Sequence, residues 1–192
     1  MKIYFSASIS DKKNLINNYK FIYKTLEEIG VEIISDHVLK DTAETIKLKS
    51  HEEVVLFYKK IVKLINSSDI VIIESSASST NLGHEISLAL EKNKPTIVLV
   101  EEQAKTPRLL EGSNDEKLIM VRYQMNTLRR ELKFALEEAK SQSDVRFNFF
   151  VSPKIVNYLD WIAKKKKVPR AVYLRRLIDE DMNKNKEFLN EE

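Results

Sequence analysis

The stretch SDIVIIESSASSTNLGHEISLALEKNKPTIVL, residues 68–99, carries the clearest structural pattern in this sequence. Its first apolar run predicts a buried strand over Ile70–Ile73, and a Ser-rich junction then leads into a helix from about Gly83 to Lys92. Pro95 precedes a second apolar strand, Thr96–Val100. A strand, a crossover helix and another strand form the repeating unit of a parallel sheet, so the stretch predicts an α/β fold.

The residues before this stretch continue the alternation. Ile3–Ser8 is a predicted strand, Lys12–Ile29 a helix that ends at Gly30, and Val31–Ile34 a second short strand. The polar segment at residues 37–53 is too long for a tight turn, which is typical of a binding loop. The remaining predictions for this domain are a helix from Glu52 to Ile65, a loop at Arg108–Gly112, an edge strand at Leu118–Val121 and a helix at Asn126–Lys140.

Composition excludes several classes of protein. The chain has 192 residues, enough for one domain and a small appendage, and no apolar run approaches the roughly 20 residues that cross a bilayer. We therefore expect no membrane partner, and a cytoplasmic location because the start lacks a signal-peptide pattern. The chain has no cysteine and three histidines, none spaced as a pair, so we expect neither a metal nor a cofactor.

Glu85 follows the Ser-rich junction, where an open parallel sheet binds its ligands. Ser78, Ser79 and Thr80 can offer hydroxyl and NH groups, and Gly83 allows a close backbone approach. In the first turn of its helix, the Glu85 carboxylate would be kept ionised by the helix dipole. It could then attack an electrophilic sugar carbon, or it could simply cap its own helix. The local pattern leaves both interpretations open.

Three segments together resemble a known superfamily: IYFSASIS (residues 3–10), SDHV (residues 35–38) and the stretch quoted above. They are similar to the nucleoside 2-deoxyribosyltransferases, especially the branch of 2′-deoxynucleoside 5′-monophosphate N-glycosidases, over residues 1–140. The resemblance implies a flavodoxin- or Rossmann-like parallel sheet with helices on both faces and a nucleoside or nucleotide ligand. It also implies that Glu85 attacks the anomeric carbon and expels the base.

The same resemblance assigns four further residues. It implies that Tyr4 lies near the nucleophile, that Ser8 helps to hold the phosphate or sugar, and that His37 lies near the phosphate. Ser79 matches a phosphate-binding serine. Each of them also has a structural interpretation, as a satisfied core, turn or loop residue.

This sequence departs from the family pattern at the catalytic acid. The aspartate that helps to protonate the leaving base would fall at Ile61, and loss of such an acid typically costs about 10² to 10⁴ in rate. Glu52 or Glu53 could replace it, or His84 could supply the proton, because an imidazole titrates near neutral pH. The first loop is SISDKK rather than an Arg/Gly-rich sequence, although Lys12 and Lys13 follow nearby.

Residues 145–182 resemble a different family, the ribbon-helix-helix DNA-binding domains. The segment VRFNFFVSPKIVNYLDWIAKKKKVPRAVYLRRLIDEDM has an alternating start followed by two helical patterns, Pro153–Lys166 and Pro169–Met182. The resemblance implies a homodimer with paired strands, in which Arg146 and Asn148 enter the major groove of double-stranded DNA. The other implied DNA contacts are Lys164, Lys165, Lys166, Lys167 and Arg170.

These patterns divide the chain into four parts: a domain over residues 1–140, a linker at 141–144, a ribbon-helix-helix-like unit at 145–183 and a frayed tail at 184–192. Between residues 144 and 178, nine Lys and Arg stand against two Asp, so affinity for polyanions should be concentrated there. The lysines could instead keep a small dimerisation unit soluble. Two functions therefore stay open: an N-glycosidase or deoxyribosyltransferase weakened by its missing aspartate, or a non-catalytic nucleotide-sensing, DNA-binding regulator.

Overall fold

The computed structural model describes residues 1–47, 50–77, 79–105, 107–143, 150–166 and 168–185. The chain divides into two compact units, residues 1–145 and 146–192. No helix among the described residues is long and apolar enough to cross a membrane.

The described part of the first unit contains a five-stranded sheet in which all neighbouring strands are parallel. The strands are β1 (Lys2–Ala7), β2 (Glu32–Ile33), β3 (Ile70–Glu74), β4 (Thr96–Glu101) and β5 (Leu118–Tyr123). Their order across the sheet is β2-β1-β3-β4-β5, the flavodoxin-like arrangement. This confirms the predicted α/β class with a parallel sheet.

Helices cover both faces of the sheet because side chains alternate along each strand. The helices of this unit are α1 (Lys12–Ile29), α2 (His37–Lys40), α3 (Ala43–Lys47), α4 (His51–Ser67), α5 (Thr80–Glu91), α6 (Arg108–Glu111) and α7 (Leu128–Ser143). In β1, Ile3 and Phe5 belong to the core cluster formed with α1 and α7. Tyr4 belongs to the opposite cluster, with Ile61 of α4 and Ile86 of α5.

Helix α1 has the predicted bounds and ends at Gly30, whose φ of 84° places it in the left-handed region that favours glycine. The predicted loop at residues 37–53 is wrong in part, because α2, α3 and the start of α4 lie within it. Helix α4 begins with a capping box, in which Ser50 accepts from the Glu53 amide and the Glu53 carboxylate accepts from the Ser50 amide.

Two helix boundaries change the predicted organisation. Helix α5 begins at Thr80, three residues before the predicted start, because Gly83 is accommodated inside the helix rather than opening it. Helix α7 continues through Ser143 and covers most of the predicted linker. The predicted loop at Arg108–Gly112 contains the short helix α6, and β5 extends two residues beyond the predicted edge strand.

The second unit contains helices α8 (Pro153–Lys166) and α9 (Arg170–Met182). Their small core consists of Leu159, Ile162 and Tyr173, with Val168 and Leu174 packed against it. Two further apolar side chains of these helices are exposed, Ile155 by 46% and Ile178 by 59%. The alternating segment that predicts the strand, VRFNFFVS at residues 145–152, lies mostly outside the described residues, so the ribbon-helix-helix assignment stays a prediction.

Candidate active site

A hollow of about 210 Å³ lies where the strand order changes direction, at the carboxyl ends of β1 and β3. In open α/β sheets, ligands bind at this switch point because the loops after neighbouring strands diverge there. We call it the Glu85 hollow. Its described lining residues are Ser6, Ala7, Ile9, Ser10, His37, Ala43, Val54, Phe57, Ser79, Asn81, Leu82 and Glu85.

Tyr4 and Glu85 are 81 positions apart in sequence and form a hydrogen bond in this site. The Tyr4 hydroxyl donates to Glu85 Oε2 at 2.9 Å, from a ring that is fully buried beneath the hollow. Burial, followed by the charge of Glu85, raises the pKa of Tyr4 far above its ordinary value, so Tyr4 remains a protonated donor. The bond orients the carboxylate toward the hollow.

Burial raises the pKa of Glu85 above the ordinary carboxyl value. The hydroxyls of Ser6 and Tyr4 and the charge of His84 act in the opposite direction. We expected the dipole of the first helical turn to keep Glu85 ionised. Because α5 begins at Thr80, Glu85 lies beyond that turn, where the dipole is weak, so the polar neighbours of the carboxylate, rather than the dipole, oppose the effect of burial.

His37 is a second titratable side chain in the hollow. It is 96% buried at the start of α2, and its Nε2 lies 3.4 Å from the Ser6 hydroxyl. Its ring stacks with Tyr4 at 5.8 Å between centroids and meets Phe57 edge-on at 5.9 Å. Tyr4 therefore contacts both His37 and Glu85.

A larger hollow of about 440 Å³ adjoins the first and shares Ile9, Ser10 and Ala43 with it. Lys12 lines this second hollow, but its Nζ donates to the carbonyls of Leu39 and Asp41, at 2.7 Å each. Lys12 thus holds the segment that connects α2 to α3. No lysine or arginine is among the described residues that line the Glu85 hollow itself.

The chain matches two archaeal proteins that are named 2′-deoxynucleoside 5′-phosphate N-hydrolase 1. It is 33% identical to the one from Methanosarcina barkeri over 117 residues, covering 61% of this chain and 72% of that protein. It is 33% identical to the one from Methanosarcina mazei over 113 residues, covering 59% of this chain and 69% of that protein. The chain belongs to the 2′-deoxynucleoside 5′-phosphate N-hydrolase family. The predicted superfamily is thereby confirmed.

A solved structure agrees on the fold. The CMP N-glycosidase of Clostridium botulinum superposes with a TM-score of 0.52 at 17% identity, over 70% of this chain and 98% of that one. No family profile matches the sequence.

In this member of the N-hydrolase family, the structure brings together four of the predicted site residues: Tyr4, His37, Ser79 and Glu85. Ser8 is not among the described lining residues. It lies 98% buried, its carbonyl accepts from the Tyr19 hydroxyl at 3.0 Å, and its own hydroxyl has no described partner.

Two further predicted residues lie away from the Glu85 hollow. Gly83 lines a separate hollow of about 480 Å³, on the other side of Ser79. His84 is exposed, and its ring stacks with Tyr58 at 5.9 Å between centroids. Both follow from the early start of α5, since successive helical residues point about 100° apart and, of residues 83–85, only Glu85 lines the hollow.

Ile61, where the resemblance would place the family's catalytic acid, is a core residue. Ile61 is 95% buried in the cluster that also contains Tyr4. Glu53 belongs to the capping box of α4, and neither it nor the exposed Glu52 lines the hollow. Glu85 is therefore the one carboxylate among the described lining residues.

Sequence reasoning missed several polar residues of the site, including Ser6, Ser10 and Asn81. The period of two in β1 could have revealed Ser6, because it shares a face with Tyr4. Sequence reasoning also missed Glu74, which is fully buried at the end of β3. Its carboxylate accepts hydrogen bonds from the Ser76 hydroxyl, from the Ser76 amide at 3.2 Å and from the Tyr123 hydroxyl at 3.2 Å. Burial raises the pKa of Glu74.

The DNA-binding candidates fall in the second unit. Lys164, Lys165 and Lys166 are exposed on the last turn of α8, and the Lys165 ammonium lies 4.7 Å from the centre of the Trp161 ring. Arg170 pairs with Asp160. Arg146, Asn148 and Lys167 lie outside the described residues. Among the residues that are described, no three His, Asp or Glu side chains are grouped to hold a metal ion.

Proposed function

We propose that this protein cleaves the N-glycosidic bond of a 2′-deoxynucleoside or its 5′-monophosphate, with Glu85 as the nucleophile. The observation that carries the proposal is the Tyr4–Glu85 hydrogen bond of 2.9 Å in a hollow at the sheet's switch point. The names of the relatives support the reaction class, since both are called 2′-deoxynucleoside 5′-phosphate N-hydrolases.

The proposed reaction has two steps. A Glu85 carboxylate oxygen forms a bond to the anomeric carbon while the bond from that carbon to the base nitrogen breaks, and the electron pair leaves with the base. Water then attacks the same carbon, loses a proton to the group that protonated the base, and releases the Glu85 carboxylate, which yields the free sugar. A second base in place of water would give transfer instead of hydrolysis.

The leaving base needs a proton, and we propose that His37 supplies it. His37 lines the hollow and is held between Tyr4, Phe57 and Ser6, whereas His84 stacks on Tyr58 outside it. An imidazolium can donate a proton near neutral pH. This role would compensate for the apolar Ile61 at the place of the usual acid.

Ser79, Ser10 and Asn81 would bind the polar groups of the sugar and any 5′-phosphate. All three line the hollow, and Ser79 is the residue that precedes the first turn of α5. Amide groups at the start of a helix favour an anion, so a phosphate can be held there without a lysine or arginine.

The test is base release from a panel of deoxynucleosides and their 5′-monophosphates, with the wild type, Glu85→Gln and Glu91→Gln. Glu91 is an exposed residue of the same helix and serves as the matched control. We expect release with the wild type and Glu91→Gln but only background with Glu85→Gln. Mass spectrometry of quenched reactions should find a deoxyribosyl adduct that Glu85→Gln lacks.

Each alternative predicts a different result. Release that persists in Glu85→Gln would refute the nucleophile assignment. Ligand binding without release from any substrate would favour the nucleotide-sensing function. Dependence on an added free base would indicate transfer.

The second unit carries a second candidate function, double-stranded DNA binding by a homodimer. The observation in its favour is the combination of exposed Lys164–Lys166 with exposed apolar side chains, among them Ile155 and Ile178. Sedimentation should give a dimer, and Ile178→Lys should shift it to a monomer. A monomeric wild type would rule out this function.

A further inference from the structure

Glu74 is a buried carboxylate that the proposed reaction does not use. It is the last residue of β3 and is fully buried. The period of two in a strand places it on the same face as Ile70 and Ile72, whose cluster includes side chains of α1 and α7. Taking a carboxylate out of water is costly, and an apolar residue would avoid that cost. The stability of the sheet therefore does not account for a carboxylate at this position.

One oxygen of Glu74 holds the start of the Ser-rich junction. Glu74 Oε1 accepts a hydrogen bond from the Ser76 amide at 3.2 Å and another from the Ser76 hydroxyl. The Ser76 hydroxyl oxygen in turn accepts from the Glu101 amide, at the end of β4, at 2.8 Å. A side chain that accepts from the amide two residues later fixes a turn, as in an Asx turn. Glu74 thus sets the direction in which the chain leaves β3.

Two further side chains orient this carboxylate. The Tyr123 hydroxyl, from β5, donates to Glu74 Oε1 at 3.2 Å and accepts from the Asn18 side-chain amide of α1 at 3.1 Å. The other oxygen, Oε2, is buried and has no hydrogen-bond partner among the described residues. Three donors therefore converge on one oxygen of Glu74. Their bonds are strongest while Glu74 is ionised, because charge-assisted hydrogen bonds are about twice as strong as neutral ones.

Ser79 depends on this junction for its position. It lies three residues after Ser76, lines the Glu85 hollow and immediately precedes α5. Its hydroxyl makes no capping hydrogen bond to the first turn of α5, although serine often does so at this position. The hydroxyl and the first amides of α5 are therefore available to a ligand. Because the hydroxyl is not fixed to its own helix, the chain before it helps to determine where it lies.

We propose that Glu74 is a positioning residue, whose ionised carboxylate holds the turn at Ser76 and thereby keeps Ser79 and the start of α5 in place for the substrate. This inference rests on the binding role proposed for Ser79, and it does not require Glu85 to be the nucleophile. Protonation on Oε2 would leave Glu74 Oε1 a neutral and weaker acceptor. The turn would then be held less tightly, and the substrate would bind less well.

The groups that face Glu74 influence the pH at which its charge is lost. Burial raises the pKa of Glu74, hydrogen-bond donors lower it, and the charge of Glu101 on β4 raises it. Burial, followed by the charges of Glu74 and Asp11, raises the pKa of Tyr19 on α1. Burial, followed by the charge of Glu74, also raises the pKa of Tyr123. Both tyrosines therefore stay protonated at neutral pH, and carboxylates carry the charge of this cluster.

The test measures the affinity for thymidine 5′-monophosphate by isothermal titration calorimetry between about pH 5 and pH 9. The parent protein is the full chain with Glu85→Gln, which removes both cleavage and the titration of Glu85. It is compared with the same chain carrying Glu74→Gln in addition, and with a control carrying Glu91→Gln, which changes an exposed carboxylate of α5. The phosphate of the ligand titrates identically in all three experiments, so a difference between the proteins reports Glu74.

We expect the Glu74→Gln protein to bind about tenfold more weakly than the parent at alkaline pH, because the charge that strengthens three hydrogen bonds is lost. The two affinities should converge at acid pH, where Glu74 is neutral in both proteins. Thermal melting should change in the opposite direction, since the variant becomes more stable relative to the parent as pH rises. A residue with only a structural role would lose affinity and stability together.

Two neighbours should move the pH at which the affinity of the parent changes, and in opposite directions. Tyr123→Phe removes a donor that lowers the pKa of Glu74, so the change should occur at higher pH. Glu101→Gln removes a charge that raises the pKa of Glu74, so the change should occur at lower pH. Shifts of the same sign in both variants would contradict the assignment to Glu74.

Other results would also overturn the proposal. One is a loss of affinity in Glu74→Gln that is equal at every pH, and another is no loss at any pH. Absence of thymidine 5′-monophosphate binding by the parent would remove the binding role of Ser79 and this proposal with it. Failure of the nucleophile assignment is detected separately, as base release that persists in Glu85→Gln.

Discussion

Replacing Tyr4 with Phe would remove one oxygen atom and the hydrogen bond of 2.9 Å to Glu85 Oε2. The ring is fully buried among core side chains, so phenylalanine should fit without a change of fold. A hydrogen bond to a charged group contributes about 1.5–3 kcal/mol. Because each 1.36 kcal/mol is a factor of ten, loss of the bond should cost about 10- to 150-fold in kcat/KM.

The pH dependence of this loss reveals its cause. The Tyr4 hydroxyl opposes the rise in the pKa of Glu85 that burial produces, so Tyr4→Phe should raise that pKa further. The acid limb of the kcat/KM profile should therefore move to higher pH. The variant should lose the full factor where Glu85 is protonated in both proteins, and should recover much of it at alkaline pH, where Glu85 is ionised in both.

Base release measured between about pH 5 and pH 9 provides the assay. Tyr19→Phe is the matched control, because it also removes a buried tyrosine hydroxyl but one that donates to the Ser8 carbonyl. It should leave the acid limb in place. A Tyr4→Phe loss that is equal at every pH would refute the argument that Tyr4 acts through the ionisation of Glu85.

Three further predictions follow from other contacts. His84→Phe should keep kcat within a few-fold, since the His84 ring lies outside the hollow. The acid limb of the kcat/KM profile should move to higher pH, because a charge that lowers the pKa of Glu85 is lost. A large fall in kcat would instead indicate that His84 is the proton donor. Lys12→Met should raise KM about tenfold with a smaller change in kcat, because two charged hydrogen bonds to the α2–α3 connection are lost. Steady-state kinetics measures both constants, and a fall in kcat as large as the rise in KM would contradict this. Glu74→Gln should become more stable relative to the wild type as pH rises. Burial raises the folded-state pKa of Glu74, so the wild type loses about 1.4 kcal/mol per pH unit between the ordinary and the folded value, and a difference in melting temperature that stays constant between about pH 4 and pH 8 would contradict this.

Some features of the site could have been predicted more fully from local patterns. The apolar positions Leu82, Ile86 and Ala89 mark the buried face of α5, and Glu85 lies three residues after the first of them. That phase predicts Glu85 pointing inward and His84 pointing away. Taking Gly83 as the start of the helix hid this, because glycine is usually found at helix ends but is tolerated inside a helix.

The sequence by itself determined the parallel α/β class, the bounds of α1, and the strand, junction and helix that carry Glu85. Those features depend on periodicity and end signals within about 20 residues, which neighbouring side chains encode directly. Only the tertiary structure decided which groups meet Glu85. Tyr4 comes from β1, 81 positions away, and His37 comes from α2, which follows β2 on the other side of β1 from β3. The order of the strands, not their distance in sequence, places these side chains together. The pKa of Glu85 was decided the same way, because burial and neighbouring hydroxyls exist only once the sheet has formed.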